Sequence, residues 1–245
     1  MMASGQAIFE ASEVVKDQGA KIAAHLLEAS AADIEFHVGP NGGAFEIVGT
    51  DRRIGIMELA EQIRSGVDLP SDVPQTLSVA HIAEGPPFSY PNGCHVAEIE
   101  VDPETGVAQV VKYTMVNDFG VVINPLMVEG QAHGGVAQGL GQALLERVVY
   151  DEDGQPQTGS YMDYALPRAT DMPPMATDYH SVPAKTNLLG VKGCGEAGCA
   201  GAMPAVMNAL VDALRRDYGI THIDMPATPL RIWEAIQTAT ASKAA

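Results

Sequence analysis

Glycine placement constrains this chain more than any other feature. Between Glu129 and Gln142, five glycines (Gly130, Gly134, Gly135, Gly139 and Gly141) interrupt a segment whose apolar residues otherwise recur at helical spacing. Each glycine inside a helix costs roughly 0.5–1 kcal/mol relative to alanine, so five imply a compensating need. On a helical wheel Gln131, Gly135, Gln138 and Gln142 share one face, while Val136, Leu140 and Leu144 occupy another. An amide stripe beside missing side chains suits a flat polar ligand lying against the backbone. Close helix packing with solvent-facing glutamines suits the same pattern, and the residues leave both readings open.

A second glycine-rich run, from Gly190 to Gly201, leads into a helical region at Ala202-Met203-Pro204. Its Gly193, Gly195 and Gly198 satisfy the dinucleotide-binding pattern G-x-G-x-x-G. Three features oppose that reading. Residues 184–189 are half polar and make a poor buried strand, Pro204 comes early in the helical region, and only 21 residues follow Asp224, the candidate ribose-binding acid. The loop instead presents Glu196. A carboxylate in so charge-poor a loop is expected to be partly desolvated, which strengthens it as a base near neutral pH. A solvated loop acid, or one complementing a helix N-terminus, is the simpler alternative.

Elsewhere the periodicity predicts a helix over about 5–30, a hairpin through Ile34-Phe36-Val38 and Phe45-Ile47, and a short helix over 55–64. Strands follow at 95–101 and 107–116, then a helix over 125–146, a hairpin over 148–158 and an irregular stretch over 165–183. Helices over about 204–217 and after Thr228-Pro229 complete the chain. Hairpins and helices arrive in separate blocks, so the expected class is α+β, with hairpin-rich mixed sheets and packed helices. Two lobes, 1–83 and 94–245, are expected to be joined by the Pro/Gly-rich connection 84–93.

Composition excludes several functions. With 46% apolar and 18% charged residues the 245-residue chain is too apolar to be disordered. A net charge of −17 with no basic cluster argues against nucleic acid as a partner. Apolar stretches such as 202–214 fall short of the ~20 residues that cross a bilayer, so no membrane partner is expected. The N-terminus lacks the basic and apolar regions of a secretory signal. Three cysteines without a C-x-x-C pair and seven scattered histidines give no metal site built from protein ligands alone. A cytoplasmic location with reduced thiols is expected.

Five ordered motifs then carry a resemblance: Asn92-Gly93-Cys94-His95-Val96-Ala97-Glu98, Val122-Ile123-Asn124-Pro125 leading into Glu129-Gly130-Gln131-Ala132-His133-Gly134-Gly135, Met162-Asp163-Tyr164-Ala165-Leu166-Pro167-Arg168, Lys192-Gly193-Cys194-Gly195-Glu196, and Met225-Pro226-Ala227-Thr228-Pro229. Over nearly its whole length the chain resembles the C-terminal portion of the molybdopterin-binding large subunit of the xanthine dehydrogenase/aldehyde oxidase/carbon monoxide dehydrogenase family of molybdenum hydroxylases. The resemblance implies that Glu196 is the catalytic base beside the metal, that Gln131 hydrogen-bonds the pterin, and that Cys194 and Gly195 lie in the loop approaching the metal centre. It implies hydroxylation of an aldehyde or N-heterocyclic carbon with water as the oxygen source. The implied cofactor is molybdenum-molybdopterin, with the cytosine dinucleotide form left open, and electrons leave through [2Fe-2S] and FAD on partner subunits. The implied partners are therefore an iron–sulfur subunit, a flavin subunit, a small-molecule substrate and the upstream portion of the large subunit. Without that portion the chain is expected to be inactive, and a truncated, non-catalytic subunit that only completes an interface is the alternative.

Overall fold

The computed structural model describes residues 1–40, 42–85 and 88–244. The chain divides into two compact units, Met1–Pro86 and Pro87–Ala245, and the division falls inside the Pro/Gly-rich stretch. Asn41 of the expected first hairpin turn, Pro86 and Pro87 of the connection, and Ala245 lie outside the described residues.

In the first unit a long helix, α1 (Met2–Leu26), precedes an antiparallel sheet of β1 (Ile34–Gly39), β2 (Gly42–Ile47) and β3 (Arg53–Gly55), followed by α2 (Ile56–Arg64). The core gathers Ile22 and Ala23 of α1, Phe45, Ile54 and Leu59. Gly19 lets the helix rest directly on the Phe45 ring, because a Cβ there would lie 2.2 Å from Cζ. Only the C-terminal half of α1 is buried, and Ile8 and Phe9 are exposed.

The second unit is built on β4 (Asn92–Val101), β5 (Ala108–Asp118) and β6 (Met175–Tyr179), in the order β4-β5-β6. The β4–β5 pair is a hairpin closed by Asp102, which accepts from the Glu104 N–H at 2.9 Å and from the Thr105 hydroxyl at 2.7 Å. The β5–β6 pair is parallel, so the sheet is mixed. Three helices pack with it: α3 (Pro125–Leu144), α4 (Ala197–Tyr218) and α5 (Pro229–Ala244). Asn124 caps α3 by accepting from the Met127 N–H at 3.2 Å, with Pro125 at the first helical position. The core joins Tyr113 and Met115 of β5, Val136 and Leu140 of α3, and Val206 and Leu210 of α4.

Helices α3 and α4 meet through glycines. A Cβ on Gly135 would lie 2.9 Å from the Cys199 nitrogen, and one on Gly198 would lie 2.4 Å from the Ala132 carbonyl oxygen. These are backbone atoms that cannot turn aside. Gly135 is buried while Gln131, Gln138 and Gln142 are exposed, so close packing accounts for part of the glycine pattern. The expected result for Gly198→Ala is a loss of about 1–3 kcal/mol by overcrowding, reduced by the gain in helix propensity. A fall in the urea midpoint at unchanged slope would register it.

The hairpin at 148–158 is present in short form, an antiparallel bridge between Tyr150 and Pro156 with the Asp151 N–H donating to Gln155 O at 3.0 Å and the Gln157 N–H to Val149 O at 2.7 Å. The structure corrects three local expectations. The stretch 165–183 contains a strand, β6. Helix α4 starts at Ala197, seven residues before Pro204, because packing on α3 and β4 overrides the weak propensity of its glycines and proline. With that extension α4 is long and apolar enough to span a bilayer by length and composition, although its Ala202, Val206, Leu210 and Leu214 are buried in this core.

Candidate functional site

The end of β5 positions the second glycine-rich loop. Beyond Asp118 the chain turns at Gly120, whose φ is +64° and whose Cβ would lie 2.2 Å from the Gly190 carbonyl oxygen, so only glycine fits. Residues 119–121 then run beside 190–192. The Lys192 N–H donates to Phe119 O and the Val121 N–H to Gly190 O, both at 2.9 Å. Lys192 Nζ also donates to Asp118 Oδ2 at 2.5 Å, with the two side chains only 11% and 12% exposed. Asp118 Oδ1 accepts from the N–H groups of Gly120 and Val182, each at 2.9 Å. Burial works to raise the Asp118 pKa, but Lys192 and the two N–H donors outweigh it and hold the carboxyl at about 2.

From this anchor the loop carries Cys194, half-buried, then Gly195 and Glu196, both exposed. Glu196 is the N-cap residue of α4 and its side chain makes no capping hydrogen bond. Gln131, exposed on α3, comes close to the loop, with Nε2 3.6 Å from the position of a Cβ on Gly195. The four predicted residues thus gather where the loop enters α4 beside α3. One expectation is corrected: Glu196 is not desolvated by this chain's own residues.

Tyr179, at the end of β6, adds a group that the sequence reading missed. Its hydroxyl is buried with no hydrogen-bond partner, and its ring lies 6.0 Å from that of Phe119. Burial first, then repulsion of a tyrosinate by Glu129 and the Cys194 sulfur, push the hydroxyl pKa up. The Tyr179 hydroxyl therefore stays a neutral donor near the Cys194 loop and the start of α3. His133 Nε2 and Thr177 Oγ1, 3.1 Å apart, tie α3 to the same strand. The alternation of Met175, Thr177 and Tyr179 was the available signal, masked by Pro173-Pro174 before it and Pro183 after it.

The dinucleotide reading does not survive the geometry. Val191, just before the glycines, forms only an isolated bridge, and Gly198 is spent on contact with α3. Among the described residues no group of three or more His, Cys, Asp or Glu is placed to hold a metal ion. The site offers hydrogen bonds instead: the Gln131 amide, the unpartnered Tyr179 hydroxyl, and main chain at Gly193, where a Cβ would meet nothing within 4 Å. That set suits a polar group laid against the loop.

Residues 1–173 match the family described as a molybdopterin cofactor-binding domain. Over 235 residues the chain is 32% identical to the carbon monoxide dehydrogenase large chain of Hydrogenophaga pseudoflava, covering 96% of this chain and 28% of that protein. It is 34% identical over 233 residues to the nicotine 6-hydroxylase large subunit of Paenarthrobacter nicotinovorans, covering 95% of this chain and 28% of that one. The crystal structure of the Cu,Mo-CO dehydrogenase in its carbon monoxide reduced state superposes with a TM-score of 0.85 at 31% identity, covering 97% of this chain and 29% of that chain. The chain thus spans less than a third of the length of these relatives.

Proposed function

Because the chain belongs to the molybdopterin-binding large-subunit family of the molybdenum hydroxylases, we propose that it forms the C-terminal part of a catalytic subunit that hydroxylates an aldehyde or N-heterocyclic carbon with water as the oxygen source. The observation that carries this reading is the meeting of the Gln131 amide with the Gly195-Glu196 loop. When bound, the molybdenum pterin supplies a two-electron acceptor and activates water. The residues present fit such a group. Gln131 binds its polar edge, the glycine loop with Cys194 admits it to the main chain, and the Tyr179 hydroxyl gives a further donor. Glu196 receives the proton released as the oxygen nucleophile forms. The mixed strand-and-loop anchor at Asp118 and Lys192 orients the loop for that transfer. The upstream portion of the large subunit supplies the rest of the cofactor's enclosure and the desolvation of Glu196. Iron–sulfur and flavin subunits carry the electrons away.

Purification of the complex with its partner subunits tests this reading, the expected result being stoichiometric molybdenum and pterin. A complete complex without them overturns it. The exposure of Glu196 favours a second reading, a chain that only completes an interface. Recovery of oxidation activity on adding the separately expressed upstream portion excludes that alternative.

A further inference from the structure

On another side of α4, a cavity of about 460 Å³ opens between the helix, the start of β4 and the end of β5. Its wall includes Asn117, which is 1% exposed and whose Nδ2 has no hydrogen-bond partner. The other amide atom is committed: His95 Nε2 lies 3.1 Å from Asn117 Oδ1, and His95 Nδ1 lies 2.8 Å from the Tyr113 hydroxyl. With Tyr113 donating to Nδ1, the ring donates from Nε2 to Oδ1. Turning the amide over exchanges which atom is bonded, and one is still left over. An unpaired buried amide group costs about as much as a lost hydrogen bond, so native interiors rarely keep one without a partner.

Two glycines make room for this arrangement. A Cβ on Gly93 would lie 2.6 Å from Asn117 Oδ1, and one on Gly201 would lie 2.3 Å from His95 Nδ1. The remaining lining is neutral. Asn92 and Asn208 bring two more amides and Ala200 a methyl, and no Asp, Glu, Lys or Arg contributes. An anion would find no cation here, whereas a neutral group with adjacent donor and acceptor would find a complement for each.

We propose that this cavity is a binding site for a small neutral amide or lactam, its carbonyl oxygen accepting from Asn117 as the buried amide shifts to meet it and its N–H and flat apolar face meeting the asparagine amides and Ala200. The site goes beyond the proposed oxidation chemistry and stands or falls separately from the role of Glu196.

Side-chain amide NMR of the full chain, titrated with 2-pyridone, tests it directly. The expected result is a saturable shift of the Asn117 amide resonances with an affinity in the millimolar range. Asn117→Ala weakens binding about tenfold, the equivalent of one lost hydrogen bond. Ala200→Phe, at an exposed position that leaves the core intact, fills the space and removes the saturable shift. No saturation with 2-pyridone overturns the proposal, as do equal shifts with pyridine, which has neither carbonyl nor N–H, or with acetate. Tighter binding of N-acetylglycinamide than of 2-pyridone overturns the small-ligand form by pointing to a peptide segment.

Discussion

Glu196→Gln lowers kcat of the assembled holoenzyme by about 10²–10⁴-fold, the usual weight of a positioned general base, while molybdenum and pterin content stay near normal. Glutamine keeps the size and polarity of the side chain, and Glu196 makes no side-chain cap that the substitution could break. Its neighbours Gly195 and Ala197 set the backbone there, so α4 and the nearness of Gln131 to Gly195 are retained. The loss is therefore confined to proton transfer. Full activity in the variant removes Glu196 from the mechanism. Activity lost together with cofactor content assigns it to binding instead.

Asp118→Ala destabilises the second unit by about 3–5 kcal/mol, because it leaves the Lys192 ammonium almost buried and unpaired. The N–H groups of Gly120 and Val182 lose their acceptor in the same step. Chemical denaturation of both proteins measures the difference. The sign with pH follows from a carboxyl held at about 2 in the fold against its ordinary 3.8. A depressed folded value means that the unfolded chain binds the proton more readily. The stabilisation is thus complete above about pH 4 and drains away as pH falls through about 2. Asp118→Ala lacks that component of acid sensitivity, so the two stability curves converge in strong acid. Parallel curves over that range would show that Asp118 does not hold the loop by charge.

Much of this architecture was legible in the residues. The alternation in Ile34-Phe36 and in 95–101 gave true strands because one face of each meets a core, whereas Val38 at the end of β1 is exposed. Asn124-Pro125 marked the start of α3 because a cap and a fixed φ act locally. What escaped depended on partners distant in sequence. Met175–Tyr179 is a strand only because β5 lies beside it in parallel, and the prolines around it conceal the alternation. The early start of α4 depends on Gly198 touching Ala132, sixty-odd residues earlier. The candidate site followed the same rule. Gln131, Cys194, Gly195 and Glu196 stood out by their motifs, whereas the Tyr179 hydroxyl became visible only once folding buried it.

The close seam of Gly135, Gly139 and Gly198 makes the spacing of two side chains of the proposed site a property of the main chain. Gln131 and Glu196 ride on helices that cannot move closer and are not held apart by any intervening rotamer. Variation among the bulky residues beneath, such as Val206 or Leu210, can then erode resistance to unfolding while the distance between amide and carboxylate is left untouched. Durability and the layout of the proposed site can drift independently in this chain, so heat tolerance can be tuned without moving the glycine loop against α3.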